Sequence, residues 1–195
     1  MELKSSVRDL GAILDNHLTM SSHVSQVCKS ASFSLRRLGQ VRRYLDDATT
    51  EKLTHALITS KLDNCNSLLY GLPDTDLSKI QRIQNTAARL ITRSRRQQHI
   101  TPILRKLHWL PIKKRIIFKI LLLTYKYLNG LAPEYLKSLL VPYNPTRNLR
   151  SGSKQLLRTD IAKTKSYGSR AFKIYAPKHW NDRPLAIRQS ASLDI

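Results

Sequence analysis

The sequence predicts a mainly α fold with a short N-terminal β element and an irregular, basic C-terminal region. Three observations predict it. Apolar residues recur at steps of three and four over much of residues 21–141, the period of helices with one buried face. Ahead of Pro142 only residues 7–14 read as extended, and they end at the turn pair Asp15-Asn16. After Pro142 the texture changes to prolines, scattered serines and isolated basic residues. A chain of 195 residues suffices for one good core or two small domains, and a hydrophobic share of 41% is that of a folded protein.

Each element has its own signal. Ser21 or Ser22 offers a side-chain oxygen to cap the first helix, in which Val24, Cys28, Ala31, Leu35 and Leu38 share one face. Arg36 and Arg43 fall seven apart on its flank. Asp46-Asp47-Ala48-Thr49-Thr50-Glu51 opens a second helix, with Leu53, Ala56 and Leu57 inward and Leu62 beyond them. It stops at Gly71-Leu72-Pro73. A third begins near Asp76, with Leu77, Ile80, Ile83, Ala87 and Leu90 or Ile91 inward. Thr101-Pro102 caps a short helical turn, and Pro111 opens the longest apolar helix, closed by Asn129-Gly130. Pro133 opens another that runs to about Val141. One short strand is expected near residues 155–158, and helix returns over 168–175. Pro177, Trp180 and Pro184 shape a compact tail. The chain thus divides into an extended segment 1–20, a helical domain 21–92, basic and apolar helices 93–141 packed on it, and a loop-rich basic tail 142–195 with short helices.

Charge narrows the function. Residues 77–133 contain 13 lysines and arginines and no acidic residue. Residues 1–82 hold 11 basic against 9 acidic residues, and residues 83–195 hold 23 against 4, giving the net +21. Such a stretch repels itself unless a polyanion lies alongside. The predicted partner is RNA, DNA or an RNA–DNA hybrid, held through its phosphate backbone. Lys79, Arg82, Arg89, Arg93 and Arg96 follow intervals of 3, 7, 4 and 3, so one continuous helix lines them along the side opposite the apolar stripe. A helix ending near Thr92 breaks that alignment at Arg93 and Arg96. Lys113, Lys114 and Arg115, with Lys119, form a second basic cluster beside His108-Trp109, where the tryptophan reads as core. Arg147, Arg150, Lys154, Arg158, Lys163 and Lys165 form a third, diffuse set on the loop.

Other chemistries find no support. Tyr44-Leu45-Asp46-Asp47 matches the metal-binding Tyr-x-Asp-Asp of reverse transcriptases, but both flanks are helical and the aspartates read as a helix cap. His17, His23, His55, His99, His108 and His179 do not cluster with Cys28 or Cys65, so no metal or cofactor is expected. Two lone cysteines suit a reducing compartment and the first 20 residues lack a secretory core, so an intracellular location is expected. Arg93-Ser-Arg-Arg96 suits nuclear import and a nucleic-acid grip equally, leaving nucleus and cytoplasm both open. Residues 116–128 are too short and too charged to cross a membrane. Nothing in the sequence sets an oligomeric state.

Several strings together go beyond composition: Cys65-Asn-Ser-Leu-Leu-Tyr-Gly-Leu-Pro73, Gln81-Arg-Ile-Gln-Asn-Thr-Ala-Ala-Arg-Leu-Ile91, and His99-Ile-Thr-Pro-Ile-Leu-Arg-Lys-Leu-His-Trp-Leu-Pro111. Leu131-Ala-Pro-Glu-Tyr-Leu136, Gly168-Ser-Arg-Ala-Phe172, Ala176-Pro-Lys-His-Trp-Asn181 and Ile187-Arg188 follow in order. The chain resembles, over nearly its whole length, the C-terminal part of the reverse transcriptase of jockey-type LINE (non-LTR) retrotransposons. The resemblance implies that residues 1–20 are the end of the palm, next to the primer grip, and that residues 21–92 are the helical thumb that holds a primer–template duplex. It further implies that the remainder is the basic region after the thumb, with endonuclease, fingers and catalytic palm lying upstream. Met1 then marks a start codon inside a decayed or truncated element, and no polymerase activity is expected of this chain alone. His179-Trp-Asn-Asp-Arg-Pro184 departs from the family's Leu-Trp-Asn-Ser-Leu-Pro and marks drift in the tail.

Overall fold

The computed structural model describes residues 5–136, 138–145, 147, 155–164 and 167–190. It is mainly helical with a short two-stranded N-terminal sheet, the predicted class. The chain divides into two compact units, Met1–Ile116 and Ile117–Ile195.

In the first unit, β1 (Ser6–Asp9) and β2 (Ala12–Asp15) pair antiparallel, with Val7 opposite Leu14. The extended run therefore turns back on itself at Leu10 and Gly11, whose φ values are 45° and 89°. Two successive left-handed residues match the twist of the flanking strands. Leucine signals no turn, so the hairpin is hidden within one apparent strand. Asp15 then organises the chain that leads into the first helix. Its carboxylate accepts from the N–H groups of His17, Thr19 and Met20 at 3.1, 2.9 and 2.9 Å. Those bonds, the Thr19 one foremost, hold its pKa below the usual value. The expected serine cap is absent: α1 (Ser21–Val41) starts behind Met20, and Ser21 Oγ donates instead to Asp76 at 2.8 Å.

The α1 stripe is as predicted, with Val24, Ala31, Leu35 and Leu38 buried and Cys28 half-buried. A short 3-10 turn, Arg42–Tyr44, links it to α2 (Asp47–Thr54), which Asp46 caps by accepting from Thr49 N–H at 3.0 Å. A π turn, His55–Thr59, and α3 (Ser60–Asp63) continue the helix. The predicted apolar face of this segment is corrected. Thr50, Thr54, Ile58, Thr59 and Leu62 are buried, whereas Ala56 and Leu57 face solvent. The ends set the rotation: Asp46 caps the helix and Asp47 pairs with Arg42. Thr50 can be buried because its Oγ1 returns to Asp46 O at 2.7 Å, leaving a methyl-bearing, valine-shaped surface.

The third predicted helix is α4 (Asp74–Thr92), which packs on α1 and α2 through Leu77, Ile80, Ala87, Ala88 and Ile91. It ends at Arg93, in the left-handed conformation with φ 51°, and Ser94 N–H closes the end onto Arg89 O at 3.2 Å. α5 (Ile100–Lys106) is capped by His99, whose Nδ1 accepts from Thr101 N–H at 3.4 Å, so Thr101 is inside the helix rather than its cap. α6 (Ile112–Leu128) begins after Pro111 as predicted. Two glutamines of α4 fix the α5–α6 connection. Buried Gln84 donates to Leu110 O at 2.8 Å, and Gln81 Oε1 accepts from Ile112 N–H at 2.8 Å. Trp109 is core, with its ring edge-on to His55 at 5.5 Å.

In the second unit, α6 continues and closes at Asn129 and Gly130, the latter at φ 71°. The helix expected after Pro133 shrinks to a 3-10 turn, Glu134–Leu136. Beyond it Val141 O accepts from Arg158 N–H at 2.8 Å and Tyr143 N–H donates to Leu156 O at 2.9 Å, a ladder that competes with helix for the same backbone. The strand anticipated near residues 155–158 is reduced to an isolated bridge between Pro142 and Leu157. α7 (Phe172–Asn181) runs through Pro177, which therefore does not end it. Buried in the core, Pro177 loses only one helix bond. α8 (Leu185–Arg188) follows. Trp180 Nε1 donates to Gln155 O at 2.9 Å, and the Asn181 carboxamide bonds both the N–H and the C=O of Leu157 at 2.9 and 2.8 Å. Those two residues tie α7 to residues 155–157.

Candidate nucleic-acid interface

The cation stripe is interrupted. α4 carries Lys79, Arg82 and Arg89, but the helix stops at Thr92, so Arg93 and Arg96 leave its axis. The left-handed residue at Arg93 turns the chain back, and Gln98 O accepts from Arg89 Nη2 at 3.1 Å. Arg89 is half-buried by this fold-back, with its Nε buried and unpaired. The alternative in which the helix ends near Thr92 is the one realised.

Carboxylates from outside the acid-free window balance four of its cations, Lys79, Arg93, Lys113 and Arg115. Lys79 Nζ lies 2.8 Å from Asp76, whose side chain is 7% exposed and also accepts from Ser21. The lysine bond holds the Asp76 carboxyl below its ordinary pKa, against the upward push of burial. Arg115 lies 2.8 Å from Asp63 and is mostly covered. These two cations are committed to the fold. Lys113 pairs with Asp74 at 2.7 Å and Arg93 with Asp47 at 3.8 Å, both in the open. Exposed pairs contribute at most about 1 kcal/mol, so a phosphate can replace either aspartate. Among the eight predicted site residues, Arg82, Arg96 and Lys114 are exposed with no carboxylate partner among the described residues.

The Lys113–Asp74 pair sets the start of α6 against the first turn of α4, so Lys113 and Lys114 lie toward the Lys79–Arg82 end of that helix. Arg93 and Arg96 lie past its other end. Of the diffuse loop set, Arg158 pairs with Asp160 at 3.1 Å. Arg147 and Lys163 are exposed, and Arg150, Lys154 and Lys165 lie outside the described residues.

Sequence reasoning missed Arg42. Its guanidinium is buried and donates to Leu90 O at 2.9 Å, Ile91 O at 2.8 Å and Leu45 O at 2.6 Å, besides Asp47. It thus places a positive charge at the C-terminal end of α4, where the helix dipole is negative. The unpaired carbonyls that every helix end leaves were the available signal. A second omission is the solvent side of α1, where Lys29, Arg36 and Arg37 are exposed without a carboxylate partner among the described residues. The signal was a second acid-free run, residues 16–45.

Next to the hairpin, Arg8, His23, Gln26, Lys61 and Asn64 line a cavity of about 380 Å³. His23 Nδ1 accepts from Ile13 N–H at 3.4 Å, and burial holds the imidazole pKa down. Lys61 is already bonded to Ser34 Oγ at 2.8 Å. Among the described residues there is no group of three or more potential metal ligands, and no helix long and apolar enough to cross a membrane. No family model, curated protein or solved structure matches this chain.

Proposed function

We propose that this chain is a nucleic-acid-binding, catalytically incomplete piece of a LINE-type reverse transcriptase, its helices gripping the phosphate backbone of RNA, DNA or their hybrid. The observation that supports it is the charge left over after internal pairing. Thirteen acidic residues face 34 lysines and arginines, and Asp47, Asp63, Asp74, Asp76 and Asp160 are already engaged. Arg82, Arg96 and Lys114 are the residues assigned to phosphate first, with Lys113 and Arg93 recruited from their exposed pairs. The family assignment rests on the motif strings in the sequence. The reading gives Asp46 and Asp47 no catalytic part, since one caps α2 and the other neutralises Arg42.

Phosphate contact makes affinity fall with salt, by about 0.7–0.9 in the log–log slope per phosphate neutralised. Filter binding of the full chain to RNA, DNA and hybrid between 50 and 300 mM salt should show a steep negative slope, a range chosen to span roughly physiological strength. Arg82→Gln, Arg96→Gln and Lys114→Gln should each flatten it by about 0.7–0.9, alike for every base sequence. A slope of zero would sink the reading.

A helical protein-interaction module is the second reading. It is favoured by β1, exposed at all four residues, and by the bare apolar side chains of Val7 within it and Leu10 just after it. Oligomers in light scattering that carry no nucleic acid would support it over the first.

A further inference from the structure

The solvent side of α1 and the turn behind it carry two exposed aromatic rings, each covered on one face by an arginine. Phe33 is 55% exposed and Tyr44 is 73% exposed. The Arg37 guanidinium lies 5.5 Å from the Phe33 ring centre, and that of Arg43 lies 4.6 Å from the Tyr44 ring centre. Phe33 and Arg37 are one helical turn apart, and Lys29, Arg36 and Gln40 share their exposed side. No acidic residue occurs between positions 16 and 45. Arg36, Arg37 and Arg43 have no carboxylate partner among the described residues.

Folding alone does not call for this arrangement. A ring left in water forgoes the burial that makes aromatics useful in a core. An arginine on one ring face leaves the other face open and adds a planar cation of its own. The ligand that answers both features carries flat π surfaces and phosphates at short repeat. A duplex hides its base faces in the stack, whereas a single strand presents them.

We propose that this face binds unpaired nucleotides of single-stranded RNA or DNA, with Phe33 and Tyr44 stacking on bases and Arg36, Arg37 and Arg43 taking the adjoining phosphates. The inference rests on the nucleic-acid reading above and adds to it that bases, as well as backbone, are held. Phe33 lies within α1 and Tyr44 in the 3-10 turn behind it, eleven positions further along the chain, so two separated nucleotides are engaged rather than a neighbouring pair.

The test uses the full chain and two single-stranded oligonucleotides of equal length, one with bases and one abasic throughout. Both carry the same phosphates. The strand with bases should bind at least about tenfold tighter, from stacking on two rings. The double variant Phe33→Leu, Tyr44→Leu should lose that advantage while keeping the salt slope and the abasic affinity. Phe33→Trp with Tyr44→Trp should keep or raise the advantage, which separates stacking from damage to the fold. Equal binding of the two strands overturns the inference and leaves backbone binding intact. An advantage that survives in the leucine variant also overturns it, because the bases are then read elsewhere. Failure to bind either strand overturns it together with the reading on which it rests. Self-association abolished by the leucine variant, with equal binding of both strands, assigns the face to a second copy of the chain instead.

Discussion

Arg42 shows how much one buried charge can hold. Its four acceptors lie on three separate stretches: Leu45, the first turn of α2, and the end of α4. Truncation would leave the carbonyls of Leu45, Leu90 and Ile91 without their guanidinium donor, the bond to Ile91 being buried. Arg42→Ala should therefore cost about 2–4 kcal/mol, more than any exposed ion pair in the molecule. The expected outcome is a lower urea midpoint at unchanged m-value. Arg42→Lys keeps the charge but reaches fewer acceptors, so it should recover only a part of the loss. If Arg42→Ala lowers the unfolding free energy by less than about 0.5 kcal/mol, the guanidinium is not the clamp described. The same logic explains why Lys79 and Arg115 are poor candidates for phosphate: removing them for a ligand would strand Asp76 or Asp63. Arg82, Arg96 and Lys114 leave nothing behind. Spacing reveals only Lys79, an i,i+3 neighbour of Asp76 on α4; Asp63, the partner of Arg115, lies 52 residues away.

At the scale of elements, the hairpin turn is the clearest misfit between local preference and fold. Leu10 is 90% exposed and left-handed, a conformation that costs an ordinary L-residue about 1–2 kcal/mol. Gly11 cannot be exchanged, because a Cβ there would come within 3.0 Å of Asn64 Nδ2 and φ is 89°. Leu10 meets no such limit. Leu10→Asn makes the Asn-Gly pair that a two-residue hairpin favours, and should stabilise the chain by about 0.5–1 kcal/mol in thermal or urea unfolding. A neutral or destabilised Leu10→Asn would show instead that the exposed leucine is held by something it touches. Helix periodicity was the legible signal here: α1, α4 and the start of α6 stand where the apolar stripes put them. Local spacing failed where ends decide rotation, as in α2, and where a strand pairing outbids a helix, as beyond Leu136.

For the whole molecule the excess charge is the governing quantity. A net +21 on 195 residues destabilises the compact state by self-repulsion, and internal pairing relieves only part of it. Raising NaCl from about 0.05 to 0.5 M shortens the screening length from roughly 14 Å to 4 Å. Tm should rise over that range by a few degrees in differential scanning fluorimetry, the reverse of its effect on phosphate binding. A Tm that falls instead would mean that the exposed pairs, such as Lys113–Asp74, outweigh the repulsion.

The order of residues along the chain was enough to set the mainly helical class, the apolar stripes of α1 and α4, the Asp46 cap and the cationic excess. Each of these depends on neighbours within a turn or two, or on composition alone. Apart from the local i,i+3 pair Asp76–Lys79, tertiary packing decided which cations remain free. Asp47, Asp63, Asp74 and Asp76 meet Arg93, Arg115, Lys113 and Lys79, and three of those four pairs join different elements. Coulomb attraction acts on distance through space, and separation along the chain carries no record of it.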